Sequence, residues 1–380
     1  MIPRPDPIRQ IKDSFQVHPV TALLGPRQCG KTTLARFISD REPSTIFDLE
    51  DPVDARRLSA PMQALQDLGG LVIIDEVQRK PELFELLRVL VDRPGRDTRF
   101  LLLGSASTRL VKGVSESLAG RIGFVDLAGF QLWEAGVRHR DRLWIRGGFP
   151  RAFLAGSDSA SIQWRENFTR TFLERDIPQL GISIPAETLR RFWTMVAHYH
   201  GQVWNAAEFA RALGTAENTA RRYLDILAGS YMIRVLPPWF ENLKKRQVKA
   251  PKVYIRDSGM THSLLQIHTL SELQGHPKIG ASWEGFALEH IIQRFRAADA
   301  CFWATHAGAE LDLMLTIAGK RHGFECKYAD APGRTRSMHI AIKDLGLEHL
   351  WVIYPGDQRY DLDGRITALP LQNLPQILKT

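Results

Sequence analysis

The residues with the clearest capacity for chemistry form a glycine-bounded segment, 25–32, between two apolar runs. The run before it, 20–24, predicts a buried strand, and the run after it predicts a helix that begins at Lys31 and Thr32. The glycines allow the loop to curl with its N–H groups inward, and the helix N-terminus adds partial positive charge. The pattern predicts a phosphate cradle in which Lys31 contacts the β- and γ-phosphates and the Thr32 hydroxyl helps to hold Mg²⁺. The predicted nucleotide-binding residues are Gly25, Pro26, Arg27, Gln28, Cys29, Gly30, Lys31, Thr32 and Thr33.

Polar residues follow two further apolar runs. Asp75 and Glu76 come directly after residues 71–74, which predict a strand buried on both faces. Asp75 is expected to hold the metal, usually through water, and Glu76 to orient and deprotonate the attacking water. Ser105 ends the next apolar run and is expected to hydrogen-bond that water or the γ-phosphate, with a plain turn serine as the alternative.

A third group of candidate residues lies in the last third of the chain. Glu284 is on a predicted amphipathic helix, and Asp312 and Glu325 are on two predicted strands, 13 positions apart. That spacing fits a hairpin, which would bring both carboxylates to one end of two paired strands. Alternation along the second strand places Lys327 on the same face as Glu325. Two carboxylates, a lysine and a third carboxylate from the helix are a set that could hold Mg²⁺ and position a water.

The length and composition of the chain indicate what kind of protein carries these sites. The chain has 380 residues, 44% of them hydrophobic and 24% charged, which is typical of two or three globular domains. Its three cysteines, at 29, 301 and 326, form no metal-binding or disulfide pattern. The sequence has no apolar run of about 18 residues and no signal-peptide core, so a cytoplasmic protein without membrane contact is expected.

The net charge of +8 and the isoelectric point near 9.5 permit a polyanionic partner. Residues 201–260 hold ten Lys or Arg against five Asp or Glu. Within them, Asn205 is predicted to cap a helix that ends at Gly214, and a second helix over 217–228 and a strand that begins at Tyr231 follow. This order of elements predicts a winged helix-turn-helix. Its second helix could place base-contacting residues in a major groove, and the basic run after it could clamp phosphates. The predicted nucleic-acid contacts are Asn218, Arg221, Arg222, Lys244, Lys245 and Arg246. The alternative is a protein–protein module.

The phosphate loop, the strand end at residues 73–78 and the segments 102–105 and 118–121 together resemble a family of prokaryotic AAA-type ATPases that carry a C-terminal domain of unknown function. The resemblance covers nearly the whole chain. It implies that Arg121 contacts the γ-phosphate, in cis or from a neighbouring subunit in a homo-oligomer, although a solvated cap is the alternative for such an arginine. One departure is Cys29, where the family more often has an aliphatic residue and where a thiol could make the loop oxidisable.

The C-terminal constellation resembles the PD-(D/E)xK nuclease core. That resemblance implies that Glu284, Asp312 and Glu325 hold Mg²⁺ and that Lys327 positions a metal-activated water against a phosphodiester. Leu311 stands where the usual proline would precede the aspartate. Since such cores also serve as binding platforms, cleavage and binding both stay open.

The sequence therefore predicts an α/β protein with a P-loop AAA-type parallel sheet at 1–138, a helical lid at 139–195, a winged helix-turn-helix at 196–256 and a restriction-endonuclease-like domain at 257–380. The expected ligands are ATP and Mg²⁺, and the expected partners are DNA, a partner protein and further copies of the chain. One hypothesis is a nucleotide-gated, DNA-processing ATPase with a Mg²⁺-dependent nuclease domain. The second is an ATP-dependent switch whose last domain binds without cleaving, and the third is a toxin–antitoxin or stress-response component.

Overall fold

The protein is described here from a computed structural model, in which the described residues are 2–95, 97–105, 117–239 and 247–379. The contacts divide the chain into two units. The first contains Met1–Phe130 with Gly229–Tyr231, and the second contains Gln131–Ala228 with Met232–Thr380. No helix in the described part of the chain combines the length and the apolar composition that a membrane span needs.

The first unit is built on a parallel sheet. Its strands are β1 (Val20–Gly25), β2 (Ser44–Asp48), β3 (Leu71–Asp75), β4 (Arg99–Ser105) and β5 (Ile122–Asp126). The sheet order is β2-β3-β4-β1-β5, and every neighbouring pair is parallel. The helices are α1 (Pro5–Phe15), α2 (Lys31–Ser39), α3 (Pro52–Arg57), α4 (Pro61–Leu65) and α5 (Leu83–Val91), with a 3₁₀ turn at Val77–Arg79.

Burial explains why the central strands lie where they do. Every residue of β1 and β3 is buried, as expected for parallel strands that are covered on both faces. Their carboxyl ends lie at one edge of the sheet, where the loops that follow β1, β3 and β4 begin. The prediction of buried parallel strands that carry Asp75 and Ser105 to one edge of an α/β sheet is therefore confirmed.

The second unit begins with a run of helices. They are α6 (Leu132–Ala135), α7 (Arg140–Arg146), α8 (Pro150–Phe153), α9 (Asp158–Thr171), α10 (Ile177–Gln179), α11 (Ala186–His198), α12 (Ala206–Leu213) and α13 (Glu217–Gly229), the last of which ends in the first unit's Gly229. Val137–His139 is a 3₁₀ turn, and Phe172–Asp176 is a π-helical turn.

The segment from α11 onward combines helices with a small antiparallel sheet. Its strands are β6 (Gln202–Val203), β7 (Ile233–Leu236) and β8 (Lys252–Ile255), in the order β6-β8-β7. As the sequence predicts, Asn205 caps α12 by accepting from the Glu208 N–H, and Gly214 ends it with a left-handed φ of 66°. The strand predicted from Tyr231 begins only at Ile233, because Tyr231 has a φ of 62°, which a strand does not allow.

The last part of the second unit is a six-stranded mixed sheet. Its strands are β9 (Cys301–Ala304), β10 (Glu310–Ile317), β11 (Lys320–Cys326), β12 (His349–Tyr354), β13 (Tyr360–Asp363) and β14 (Ile366–Pro370), in the order β13-β14-β12-β11-β10-β9. The helices are α14 (Ser258–Leu264), α15 (Leu270–Gln274), α16 (Ile279–Phe295) and α17 (Arg336–Leu345), and Leu371–Lys379 is a 3₁₀ helix.

The connectivity of this sheet is one helix, three antiparallel strands, one helix and a strand parallel to the third. Strands β9, β10 and β11 form an antiparallel meander after α16. Helix α17 then carries the chain to β12, which pairs parallel with β11. This arrangement brings the end of β11 next to the start of β10 and beneath α16.

Histidines buried in the second unit should make it sensitive to acid. Burial lowers the pKa of His200 and of His262 to about 3 and that of His290 to about 4. His290 is held as the neutral ring, because its Nδ1 donates to the Phe286 carbonyl at 2.7 Å and its Nε2 accepts from the Leu132 N–H at 3.1 Å. An unfolded chain would protonate these rings below a pH of about 6.5, which favours unfolding.

We expect the melting temperature of the second unit to fall as the pH decreases from about 6.5 toward 4, and His290→Gln to make that fall shallower. Glutamine can accept from the Leu132 N–H without gaining a proton in the unfolded state. Differential scanning calorimetry across the pH series is the measurement, and the exposed His306→Gln serves as the control. Identical slopes for wild type and His290→Gln would contradict this account.

Candidate functional site

The phosphate loop runs from the end of β1 to the start of α2. It turns through left-handed conformations at Gln28, with a φ of 62°, and at Gly30, with a φ of 99°. Gly25 lies against the backbone that follows β5, since a Cβ there would be 2.1 Å from the Leu127 carbonyl oxygen. The first residue of the loop is therefore closely packed against the chain that follows β5.

The side chain of Lys31 is folded into this loop. Its ammonium group donates to the carbonyl oxygens of Gly25 at 3.0 Å and Pro26 at 2.8 Å. The residue is buried, and its charge acts to lower the pKa of the nearby Asp75 and Glu76 carboxyl groups. Carbonyl contacts of this kind can be exchanged for phosphate oxygens, which makes Lys31 available to a nucleotide.

Thr32 and Asp75 meet at the carboxyl edge of the sheet. The Thr32 hydroxyl donates to Asp75 Oδ2 at 2.6 Å, and the Glu76 N–H donates to Oδ1 at 2.9 Å. Burial raises the pKa of Asp75, although both hydrogen bonds act to lower it. A hydroxyl and a carboxylate side by side are the oxygen donors that Mg²⁺ prefers, so these residues fit the predicted metal.

Glu76 lies directly after Asp75, in a left-handed conformation with a φ of 55°. Burial raises the pKa of its carboxyl group, which suits a base that must take a proton near neutral pH. Arg27 approaches Glu76 Oε2 at 4.0 Å. Gln78 donates to the Glu76 carboxylate and also to the Ser105 hydroxyl, the latter at 3.0 Å.

Ser105 is thereby tied to the same site. It ends β4 opposite Gly25 on β1, so its hydroxyl lies at the edge where the phosphate loop begins. Gln78, which links Ser105 to Glu76, was not predicted as a site residue from the sequence. It lies three positions after Asp75, in the segment 73–78 that carries the family resemblance, and that position could have indicated its role.

The remaining residues of the predicted loop have distinct surroundings. Thr33 is exposed, and Cys29 is fully buried among aliphatic side chains such as Leu34. The Cys29 carbonyl accepts from Arg4 at 3.2 Å. Because the thiol has no exposed surface, the structure offers no direct access for the oxidation that the sequence suggested.

Arg121 lies at the opposite edge of the sheet. Its carbonyl accepts from the Val20 N–H at the start of β1, whereas the phosphate loop follows the end of that strand. Six residues of strand separate the two edges, which is about 20 Å. The guanidinium of Arg121 binds Asp92 through Nε at 2.7 Å and Nη2 at 2.8 Å. A contact in cis with the γ-phosphate is therefore excluded by this placement, and contact from a neighbouring subunit stays a prediction.

The C-terminal residues converge in the second unit. Leu313 pairs with Phe324, and the continuing register sets Asp312 opposite Glu325 at one end of the β10–β11 hairpin. Asp312 Oδ2 accepts from the Cys326 N–H at 2.8 Å, and Lys327 donates to Glu325 Oε1 at 2.7 Å. Burial and the charge of Asp312 both raise the pKa of Glu325, and the same two causes raise that of Glu284 on α16.

A residue outside the predicted set lies among these carboxylates. The ammonium of Lys252, from β8, is 3.3 Å from Glu284 Oε1 and 3.8 Å from Asp312 Oδ1, and it also pairs with Glu310. Burial opposes the charge of Lys252, but Glu284, Asp312 and Glu310 outweigh it and raise the pKa of the ammonium. Tyr254, also on β8, donates to the same Glu284 oxygen at 2.6 Å.

A divalent metal does not fit this arrangement. Two of the oxygens that would bind it already have donors, since Glu284 Oε1 accepts from Lys252 and Tyr254 and Asp312 Oδ2 accepts from the Cys326 N–H. In the part of the chain that the structure describes, no three His, Cys, Asp or Glu side chains are grouped so that they could hold a metal ion. The metal-binding role predicted for Glu284, Asp312 and Glu325 is thus opposed by an ammonium group that pairs with Glu284 and Asp312 and by the pairing of Glu325 with Lys327.

The predicted nucleic-acid residues separate into two groups. Asn218, Arg221 and Arg222 are exposed on α13, where Arg221 is 3.9 Å from Glu217. Lys244, Lys245 and Arg246 lie outside the described residues.

Two mycobacterial proteins resemble the whole chain. They are described as the uncharacterized proteins Rv2008c of Mycobacterium tuberculosis and Mb2031c of Mycobacterium bovis, and each is 49% identical over 380 residues. The match covers 100% of this chain and 86% of each relative. The chain belongs to the same family as these two proteins.

Family descriptions match three consecutive segments. Residues 17–135 match the family described as "AAA domain", residues 137–271 match "Domain of unknown function (DUF8612)" and residues 279–374 match "Domain of unknown function (DUF4143)". The prediction of an AAA-type P-loop domain is confirmed by the first of these. The winged-helix and nuclease-like predictions for the later segments stay predictions.

Solved structures with partial similarity include the Walker-type ATPase PABY2304 of Pyrococcus abyssi, at 15% identity, with 70% of this chain and 96% of that chain covered and a TM-score of 0.48. Drosophila ORC bound to AT-rich DNA and Cdc6 matches at 11% identity, with 69% of this chain and 88% of that chain covered and a TM-score of 0.24. At TM-scores below 0.5, neither similarity establishes a shared fold.

The close packing of Gly25 leads to a prediction about the phosphate loop. We expect Gly25→Ala to destabilise the first unit by about 1–3 kcal/mol, because the added methyl group would overlap a backbone carbonyl that cannot move independently of β5. Urea unfolding monitored by circular dichroism measures this effect. Gly69→Ala is the matched control, since its nearest neighbour would be Asp97 Oδ1 at 3.9 Å. Equal stability of the two variants would show that the loop is not fixed in this way.

Proposed function

We propose that this protein binds ATP with Mg²⁺ at the phosphate loop of its AAA-type domain and hydrolyses it to ADP and phosphate. The observation that carries the proposal is the convergence of Lys31, Thr32, Asp75 and Glu76 at one edge of the parallel sheet. The four residues come from the two segments that follow the buried strands β1 and β3, which lie on either side of β4, and the hydrogen bond from Thr32 to Asp75 links these segments.

Each of these residues has a defined task. Lys31 exchanges its contacts with the Gly25 and Pro26 carbonyls for oxygens of the β- and γ-phosphates. Thr32 and Asp75 are the residues that would hold Mg²⁺, which when bound neutralises charge on the phosphate oxygens. The N-terminus of α2 directs its partial positive charge toward the same phosphates.

Glu76 is the general base of the proposed reaction. Its raised pKa lets the carboxylate accept a proton from the attacking water. Gln78 orients Glu76 and Ser105 together through its side-chain amide, so the base and the hydroxyl face the water from two sides. Gln78 is thus a positioning residue rather than a catalytic one.

Contact with DNA is a second proposal, and it rests on helix α13. The order of α11, β6, α12, α13, β7 and β8 is compatible with a winged helix, in which α13 would be the recognition helix. Its exposed Asn218, Arg221 and Arg222 could contact bases and phosphates. For the C-terminal domain, the contacts of Lys252 with the carboxylates favour binding of nucleic acid or a partner protein without cleavage.

Two substitutions separate ATP binding from ATP hydrolysis. We expect Lys31→Ala to lose both, because the phosphates lose their cationic partner, and Glu76→Gln to bind ATP but release phosphate at least 100-fold more slowly, because the amide cannot accept the proton. Binding of a fluorescent ATP analogue and phosphate release measure the two steps. Glu85→Gln, on the exposed face of α5, is the control. Undiminished phosphate release by Glu76→Gln would remove Glu76 from the mechanism.

DNA contact is tested by salt dependence. We expect Arg221→Ala and Arg222→Ala each to weaken DNA binding and to reduce the slope of log K against log salt by about 1, because each removes one phosphate contact. Fluorescence anisotropy with a labelled duplex across a salt series is the measurement. Arg170→Ala, on the exposed part of α9, should leave the slope unchanged. If all three variants behave like wild type, α13 does not contact DNA.

A further inference from the structure

The carboxylate cluster of the second unit is defined by Glu284, Glu310, Asp312 and Glu325, and the first three of these pair with the ammonium group of Lys252. Only 4% of the Lys252 side chain is exposed. The ammonium contacts carboxylates from helix α16 and from strand β10, and it lies 5.5 Å from the centre of the Phe302 ring on β9. Three acidic side chains and an aromatic face therefore meet one cation.

The geometry of strand β8 holds Lys252 in that position. The strand is the central member of its three-stranded sheet, between β6 and β7. Two residues along the same strand, Tyr254 directs its hydroxyl to Glu284 Oε1. Consecutive residues of one face of β8 thus contact the same carboxylate, which fixes the strand relative to α16.

The connection between β7 and β8 adds a second attachment. On one side, the Phe302 N–H donates to the Pro237 carbonyl at 3.0 Å, and on the other the Val248 N–H donates to the Ala304 carbonyl at 3.0 Å. Isolated bridges join Pro238 to Phe302 and Gln247 to Thr305. The residues that lead into β8 are therefore paired with β9, the edge strand of the large sheet, and they guide Lys252 into the cluster.

The oxygen atoms of the cluster are divided between fixed donors. Glu284 Oε1 accepts from Tyr254 and contacts Lys252, Asp312 Oδ2 accepts from the Cys326 N–H, and Glu325 Oε1 accepts from Lys327. Glu325 Oε2 is buried, and no hydrogen-bond partner is recorded for it among the described residues. Because Glu325 is only 6% exposed, this oxygen is largely shielded from solvent within the acidic cluster.

We propose that Lys252 is the resident cation of this cluster and occupies the place that a divalent metal ion would otherwise take. The ammonium has three N–H donors for the three carboxylates that it meets, and its charge compensates the desolvation that their burial costs. A metal ion would have to displace the lysine and two further donors before it could bind. This inference is independent of ATP hydrolysis at the phosphate loop.

The test is Mn²⁺ binding to the full chain without nucleotide, followed by the electron paramagnetic resonance signal of the unbound ion. We expect no difference between wild type and Asp312→Asn, because neither has an open site at the cluster. We expect Lys252→Met, which keeps an unbranched side chain one atom shorter and removes its charge, to bind Mn²⁺ at least tenfold more tightly than wild type. The double variant Lys252→Met with Asp312→Asn should lose this gain.

Lys343→Met is the matched control, since it removes one positive charge from the exposed face of α17 in the same domain and should gain no Mn²⁺ site. A melting-temperature series gives a second readout, in which Mn²⁺ raises the melting temperature of Lys252→Met and leaves that of wild type unchanged.

Two results would overturn the proposal. One is a Mn²⁺ site in wild type that Asp312→Asn removes, and the other is a folded Lys252→Met protein that gains no Mn²⁺ site. If Lys252→Met fails to fold, the comparison of wild type with Asp312→Asn still decides, because the proposal requires that both bind Mn²⁺ equally.

Discussion

A charged group that leaves water needs opposite charge or several hydrogen bonds around it, and in this protein those partners come from distant parts of the chain. Thr32 and Asp75 are 43 positions apart and join the start of α2 to the end of β3. Glu289 on α16 shows the same principle in the second unit. Burial favours its neutral form, but Arg234 and Arg256 outweigh that effect and lower the pKa of the carboxyl to about 2. Pairing of buried charge thus determines which elements must lie side by side.

The features that could be predicted from the sequence are those set by local patterns. The phosphate loop, the buried strands that precede it and Asp75, and the cap and stop of α12 follow from apolar runs, glycines and one asparagine. The hairpin that brings Asp312 opposite Glu325 also follows from spacing and alternation. Where local patterns are incomplete, small errors arise. A left-handed Tyr231, for example, cannot be distinguished in sequence from the strand residues that follow it.

Features that depend on the order of strands in a sheet are beyond such patterns. Arg121 lies next to the amino end of β5, and Ser105 lies at the carboxyl end of β4. Because these strands are parallel, the two residues lie at opposite edges of the sheet. Lys252 belongs to a basic stretch that indicates nucleic-acid binding. In the structure, however, its side chain contacts acidic residues that lie more than 30 positions further along the sequence. Gln78 stands in a segment that the sequence singles out, but its hydrogen bonds to Glu76 and Ser105 can be known only from the structure.

The contacts around Lys252 also argue that it is a permanent part of the cluster rather than a switch. Withdrawal of the ammonium would require β8 to separate from α16. That movement would break the hydrogen bond from Tyr254 to Glu284 and the ion pair of Arg256 with Glu289, and the neighbouring β7 is held to the same Glu289 through Arg234. Since breaking a buried ion pair costs about 3–5 kcal/mol, the separation of β8 from α16 would be strongly unfavourable. Strand β8 and helix α16 are therefore expected to behave as one rigid body within the second unit.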